Sequence, residues 1–118
     1  MKKIVFDLDE TLCEKKKKNE SYFDVKPIDE MCNAVRELKR RGYYIIISTA
    51  RNMLTQNNNV GRVVMNVGQD TLNWLDKNNI PYDEIHFGKP YSDTYYVDDK
   101  SLTPEEFLNK MKGGEFNE

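Results

Sequence analysis

At 118 residues the chain has room for one hydrophobic core of ordinary size and not for two, so a single domain spanning 1–118 is expected. Its 18 Lys and Arg against 20 Asp and Glu leave a net charge of −2, which excludes the basic footprint of a nucleic-acid binder and the extreme charge of a disordered tail. Cys13 and Cys32 form no disulfide framework and suit a reduced, cytoplasmic protein, and no stretch approaches the roughly 18 consecutive apolar residues of a membrane span.

In chain order, residues 3–7 (KIVFD) form a short apolar run and are expected to be the first strand. Residues 13–26, which contain the charge run EKKKKNE, read as a loop long enough for a flap. Pro27 then opens a helix in which Ile28, Met31, Val35 and Leu38 recur at helical spacing. Asp29 and Glu30 stand near its start, and Lys39, Arg40, Arg41 and Gly42 close it. Residues 43–48 (YYIIIS) predict a second strand. Like the first, it is apolar on consecutive positions, as strands covered on both faces tend to be. Residues 52–68 are compatible with an edge strand, an extended flap or a broken helix, and in each case would form a second rim. A helix is predicted over about 69–79, with Leu72, Leu75 and Trp74 as candidate core positions. Strands follow at 84–87 (EIHF) and 94–98 (TYYVD), Pro104 opens a last helix in PEEFLNKM, and the tail 113–118 is expected to fray.

Alternating strands and helices predict a doubly wound α/β fold with a mainly parallel sheet, whose ligand site lies beyond the carboxyl ends of the strands. Polar residues just after each strand should therefore converge: Asp7 and Asp9, then Ser48, Thr49 and Arg51, then Lys89, then Asp98 and Asp99. Several carboxylates, two hydroxyls, a lysine and an arginine suit a hard divalent cation such as Mg²⁺ beside a phosphate group. Residues two apart on an extended segment share a side, so Asp7 and Asp9 can flank one phosphate while Leu8 points into the core.

In this order and at these strand ends, DLDET, STAR, GKP and VDD resemble the four motifs of the haloacid dehalogenase superfamily, most of whose members are phosphatases. The resemblance runs from Asp7 to Asp99. More narrowly, FDLDETL, ISTARN, GKPYSD and YVDDK look like the small phosphatases of capsule and surface-polysaccharide biosynthesis. It implies a Rossmann-like three-layer sandwich with a haloacid dehalogenase-like core. The intervals after the first motif and between the second and third leave no room for a cap domain. An open site of this kind favours a homo-oligomer, dimer or tetramer, in which one chain covers another's site.

The resemblance and the residue types together imply the roles. Asp7 is the expected nucleophile, forming an aspartyl-phosphate. Asp9 contributes a backbone carbonyl to the metal shell and a side chain for general acid and base work. Asp7, Asp9 and Asp98 or Asp99 are the expected Mg²⁺ ligands, the choice between the last two being open. Ser48, Thr49, Ala50 and Arg51 are assigned to phosphate binding, with Thr49 preferred as hydroxyl donor, and Lys89 is expected to neutralise charge on the phosphoryl group and Asp7. The implied substrate is a small phosphorylated metabolite such as a sugar or polyol phosphate. The alternative is a phosphate-binding regulatory or scaffold protein of the same fold.

Two other readings fail on the residues. An EF-hand needs glycine and glutamate where Leu12 and Lys18 stand, and a phosphoacceptor receiver domain places its lysine last, whereas Lys89 precedes Asp98 and Asp99. Single residues carry weaker signals. Arg51 is compatible with substrate contact or with pairing to an acid at the rim. His86 reads as a packed strand residue and Cys13 as an incidental thiol near the site mouth. Cys32 reads as core, and Lys15 to Lys18 as solvated loop rather than an anion attractor. Tyr91, Tyr95 and Tyr96 are expected to include core residues, with Tyr91 the one placed to line a pocket.

Overall fold

A computed structural model describes residues 2–117; Met1 and Glu118, the ends of the expected domain, lie outside the described residues. Strands β1 (Lys3–Phe6), β2 (Tyr44–Thr49) and β3 (Glu84–Phe87) form a parallel sheet in the order β1-β2-β3. Phe6 lies opposite Ile47 and Thr49 opposite Phe87, so the strands finish along one edge, from which Asp7, Ala50 and Gly88 continue. This is the α/β core that the alternation of elements predicts, without a cap among the described residues.

Helix α1 (Asp29–Arg40) buries Met31, Cys32, Val35 and Leu38, the face marked by the sequence period. Acids at its start and bases at its end complement the helix dipole. Residues 60–77 resolve the ambiguous segment as helix. It comprises a short α2 (Val60–Val63), one wide π-helical turn (Val64–Gly68) and α3 (Gln69–Lys77), which follow one another without a break. Asn59 caps it by accepting from the Arg62 amide at 3.1 Å. Helix α4 (Pro104–Lys112) starts on a capping box in which Thr103 and Glu106 each bond the other's backbone N–H. Its Phe107 meets Phe6 edge to face at 5.4 Å. No helix among the described residues is long and apolar enough to cross a membrane.

The main core joins Leu8, Leu12, Val35, Leu38, Ile45, Ile47, Trp74 and Leu75, all fully buried. A smaller cluster of Met53, Val63 and Val67 packs beneath the rim with Ala50 and Phe87. The loop 13–26 is zipped at its ends, where Glu14 donates to Lys26 and Ile28 to Leu12 through the backbone. Its Val25 carbonyl accepts from the buried Trp74 indole at 2.7 Å, which ties the loop to α3.

Three expectations change. The fourth strand does not form: residues 94–98 are irregular, with Val97 97% and Tyr95 84% exposed. The segment bonds to itself instead, the Tyr96 hydroxyl donating to the Pro90 carbonyl at 2.6 Å and Ser92 Oγ to the Tyr95 carbonyl at 3.2 Å. Strand propensity stabilises only a chain that finds a neighbour to pair with. In addition, β1 is an edge of the three-stranded sheet, and Val5 is 59% exposed where cover on both faces was expected. Finally, residues 113–117 pack rather than fray. Phe116 packs edge-on against Tyr43 and at a tilt against Phe107, the Tyr43 hydroxyl donates to the Phe116 carbonyl at 3.2 Å, and Arg41 donates to Asn117 Oδ1 at 2.7 Å.

Candidate active site

The turn after β1 is wound around one carbonyl. The amides of Thr11, Leu12 and Cys13 all donate to the Leu8 oxygen, and Glu10 takes a positive φ of 63° to permit it. Leu8 and Leu12 anchor the turn in the core, leaving Asp7 and Asp9 to line a cleft of about 380 Å³. Ala50 and Arg51 from the end of β2 line the same cleft.

Asp7 Oδ1 accepts from the Leu8 amide at 2.8 Å, and Oδ2 lies 3.7 Å from Lys89 Nζ. Burial raises its pKa above the usual carboxylate value, opposed by the Leu8 N–H and the Lys89 ammonium. Lys89 is delivered by Gly88, whose φ of +98° suits glycine and whose missing side chain leaves room for Val60. A Cβ there would stand 2.9 Å from Val60 Cγ2. The Lys89 amide donates to the Thr49 carbonyl at 3.1 Å, and its ammonium sits 4.4 Å from the Tyr96 ring centre.

Asp9 is held by Arg51, whose Nη2 donates to Oδ1 at 2.7 Å and Nε to Oδ2 at 3.2 Å. This is a forked pairing in which the guanidinium side chain is wholly buried and Asp9 keeps 31% of its side-chain surface exposed. Nη1 donates to Thr71 Oγ1 at 3.0 Å, and the guanidinium lies 4.1 Å from the Tyr22 ring centre. The Cys13 thiol donates to Asp9 Oδ1 at 3.4 Å, and its pKa is pushed up by burial and by the adjacent Asp9 carboxylate. Burial likewise raises the Tyr22 hydroxyl. Arg51 therefore pairs with an acid, the second of its two readings, but as a buried residue and not at the rim, and the buried Cys13 is enclosed in the same cluster.

Other expected site residues stand apart from the cleft. Thr49 is 1% exposed, and its hydroxyl accepts from the Arg51 amide at 3.0 Å, which shapes the turn after β2. Neither Thr49 nor Ser48, its neighbour on the opposite face of the strand, lines the cleft. Asp98 and Asp99 are exposed and also absent from its lining, and Asp98 accepts from the Lys100 amide at 3.1 Å in its own loop. The cause is the unformed fourth strand, which was to carry both acids to the common edge. Among the described residues no group of three or more acids, cysteines or histidines could hold a metal. With the Asp9 side chain taken by Arg51, the Asp7 carboxylate and the Asp9 carbonyl do not complete an oxygen shell for Mg²⁺.

His86 is exposed on the edge strand β3 and pairs with Glu84 at 2.8 Å, not packed. Tyr91, Tyr95 and Tyr96 are all exposed, none being core, while Tyr91 and Tyr96 line the cleft. Tyr22 and Thr71 were not foreseen. The only sequence sign for Thr71 was its position one helical turn before Leu75, on the buried face of α3. Tyr22 lay within the supposed flap with no periodicity to mark it.

No family model matches the chain, nor does any curated protein. Among solved structures, a structural-genomics target from Vibrio cholerae is 41% identical over 92% of this chain and 88% of its own, with a TM-score of 0.85. The D,D-heptose 1,7-bisphosphate phosphatase from B. bronchiseptica, complexed with magnesium and phosphate, matches at TM-score 0.53 and 13% identity. That match covers 98% of this chain and 64% of the other. A Pnkp1/Rnl/Hen1 complex matches at TM-score 0.52 and 21% identity, over 92% of this chain and 34% of that one. The chain belongs to the same family as the Vibrio cholerae protein, and its fold is the haloacid dehalogenase-like core that it shares with the heptose bisphosphate phosphatase.

Proposed function

We propose that the protein is a phosphomonoesterase that hydrolyses a small phosphorylated metabolite through an aspartyl-phosphate on Asp7. One observation carries the reading: Asp7 and Asp9 line one cleft, the Asp7 carboxylate lying 3.7 Å from the Lys89 ammonium beside that cleft and Asp9 gripped by a buried arginine. Asp7 Oδ attacks phosphorus as the bond to the ester oxygen breaks. Asp9 protonates the departing alkoxide, then takes a proton from the water that attacks the aspartyl-phosphate and releases orthophosphate. Asp9 Oδ2 suits this role better than Oδ1, because it receives one hydrogen bond where Oδ1 receives two. Lys89 offsets the repulsion between Asp7 and the incoming anion.

Mg²⁺ belongs to the proposal as the cofactor that would neutralise charge at the phosphoryl group. Its shell would require Asp98 or Asp99 to join Asp7 and the Asp9 carbonyl, so Mg²⁺ and the docking of residues 94–99 are coupled in this reading. Phosphate contact by Thr49 or Ser48 would require the turn after β2 to open, because Thr49 is buried and its hydroxyl accepts from the Arg51 amide. The substrate class is a sugar or polyol phosphate, in capsule or surface-polysaccharide synthesis, in the cytoplasm, and the assembly is a dimer or tetramer. Light scattering on a size-exclusion column that returned a monomer would remove the last point.

Phosphate release from p-nitrophenyl phosphate, with Mg²⁺ and with chelator, tests the activity. Metal-dependent release that disappears in Asp7→Asn supports it. A folded wild-type protein with no release refutes it and leaves the non-catalytic phosphate-binding alternative.

A further inference from the structure

Much of the cleft lies beyond the groups that handle a phosphoryl unit. About 380 Å³ falls within the range of sites that enclose a whole small metabolite. Its charges near the nucleophile are matched, Asp7 with Lys89 and Asp9 with Arg51. On the wall supplied by the loop 13–26, Lys15 and Lys16 also line the cleft, and among the described residues neither pairs with a carboxylate.

Lys16 is oriented rather than free. Its ammonium donates to the carbonyls of Lys17 at 3.2 Å and Glu20 at 3.1 Å and lies 5.6 Å from the Tyr22 ring centre. With three N–H donors and two occupied, one remains for a ligand. The turn amides hold the same loop at its base, through Glu14 to Lys26 and Glu20 to Lys17. Glu10 is the one lining carboxylate without an ion-pair partner among the described residues, so two ammonium groups face one opposing charge. The lining also contains Asn52, Thr55 and Ser92, which are uncharged hydrogen-bonding groups suited to hydroxyls.

We infer that the substrate is a hydroxylated phosphate ester carrying a second anionic group, bound by Lys15 and Lys16 at the wall of the cleft. The inference rests on the phosphatase reading and adds the second anion to it. A charge-assisted contact at a partly desolvated ammonium predicts a preference of roughly tenfold in kcat/KM for the doubly anionic member of a substrate pair.

The test compares hexose 6-phosphate with hexose 1,6-bisphosphate, and glycerol 3-phosphate with 3-phosphoglycerate, in the wild type and in a Lys15→Gln/Lys16→Gln double variant. Circular dichroism checks the fold. The expected result is a preference for the doubly anionic member of at least one pair that shrinks with rising ionic strength and falls to within about twofold in the double variant. Turnover of p-nitrophenyl phosphate without such a preference in either pair overturns the inference and leaves the phosphatase reading standing. A preference that survives the double variant also overturns it. Absence of turnover of every ester, including p-nitrophenyl phosphate, defeats the phosphatase reading and this inference together.

Discussion

Replacing Arg51 by alanine removes a wholly buried guanidinium that bonds both Asp9 oxygens, Thr71 Oγ1 and the Cys13 thiol and stacks on Tyr22. Breaking one side of a buried ion pair costs about 3–5 kcal/mol when the remaining charge is sealed from water. Here the Asp9 side chain keeps 31% exposure, so water reaches it and the lower end applies, about 3 kcal/mol. For a domain of this length that is about 10–15 °C in melting temperature, read by thermal circular dichroism. Arg51→Lys keeps the charge but not the fork, and should fall between wild type and Arg51→Ala. In activity, Arg51 acts through Asp9 as a positioning residue. Asp9→Asn should lower kcat by about 10²- to 10⁴-fold, and adding Arg51→Ala to it should lower kcat little further. A loss of less than about 3 °C on Arg51→Ala, or independent and multiplicative effects of the two substitutions on kcat, would refute the clamp.

Asp7→Asn removes a charge whose pKa is raised by burial, so it should abolish phosphate release while leaving the melting temperature equal or higher at neutral pH. Gly88→Ala puts a methyl 2.9 Å from Val60 Cγ2 at a φ of +98° and should cost about 1–3 kcal/mol in urea unfolding; Val60→Ala should restore part of the loss. Asp83 accepts from Lys39 Nζ at 2.7 Å and from the Ile45 amide at 2.8 Å, and these bonds, Lys39 first, lower its pKa below 3.8. A depressed acid contributes stability above its unfolded value and loses it as pH falls through the folded value. Asp83→Asn should therefore lower the melting temperature at pH 7, and the difference should shrink as acid carries the pH down through the depressed folded value.

The three paired strands and the helices at 29–40, 69–77 and 104–112 were legible because each carries its own period or apolar run, whereas the helical turns at 60–68 carried none and were left open. Residues 94–98 have equally good strand composition, yet pairing is a property of two segments, and Pro90, Ser92 and Tyr96 satisfy the backbone locally. The same distinction governs the site. Asp7, Asp9 and Lys89 could be placed because strand ends share an edge. The union of Arg51 with Asp9 spans 42 positions and runs through Thr71 and Tyr22, for which the chain offers no local pattern. Asp98 and Asp99 were assigned to the edge on the strength of a strand that does not form, so the error in the fold and the gap in the site have one cause.

The wide turn at Val64–Gly68 makes the length of its helix consequential. Deleting one residue there would restore ordinary α spacing and rotate everything upstream by about 100° relative to α3. Thr71 could keep its grip on Arg51, but Val63 would swing off Met53 and open the small cluster under the rim. Natural length variation should therefore be tolerated among the asparagines at 57–59 and selected against in the ten residues that follow, where both anchors must stay in phase.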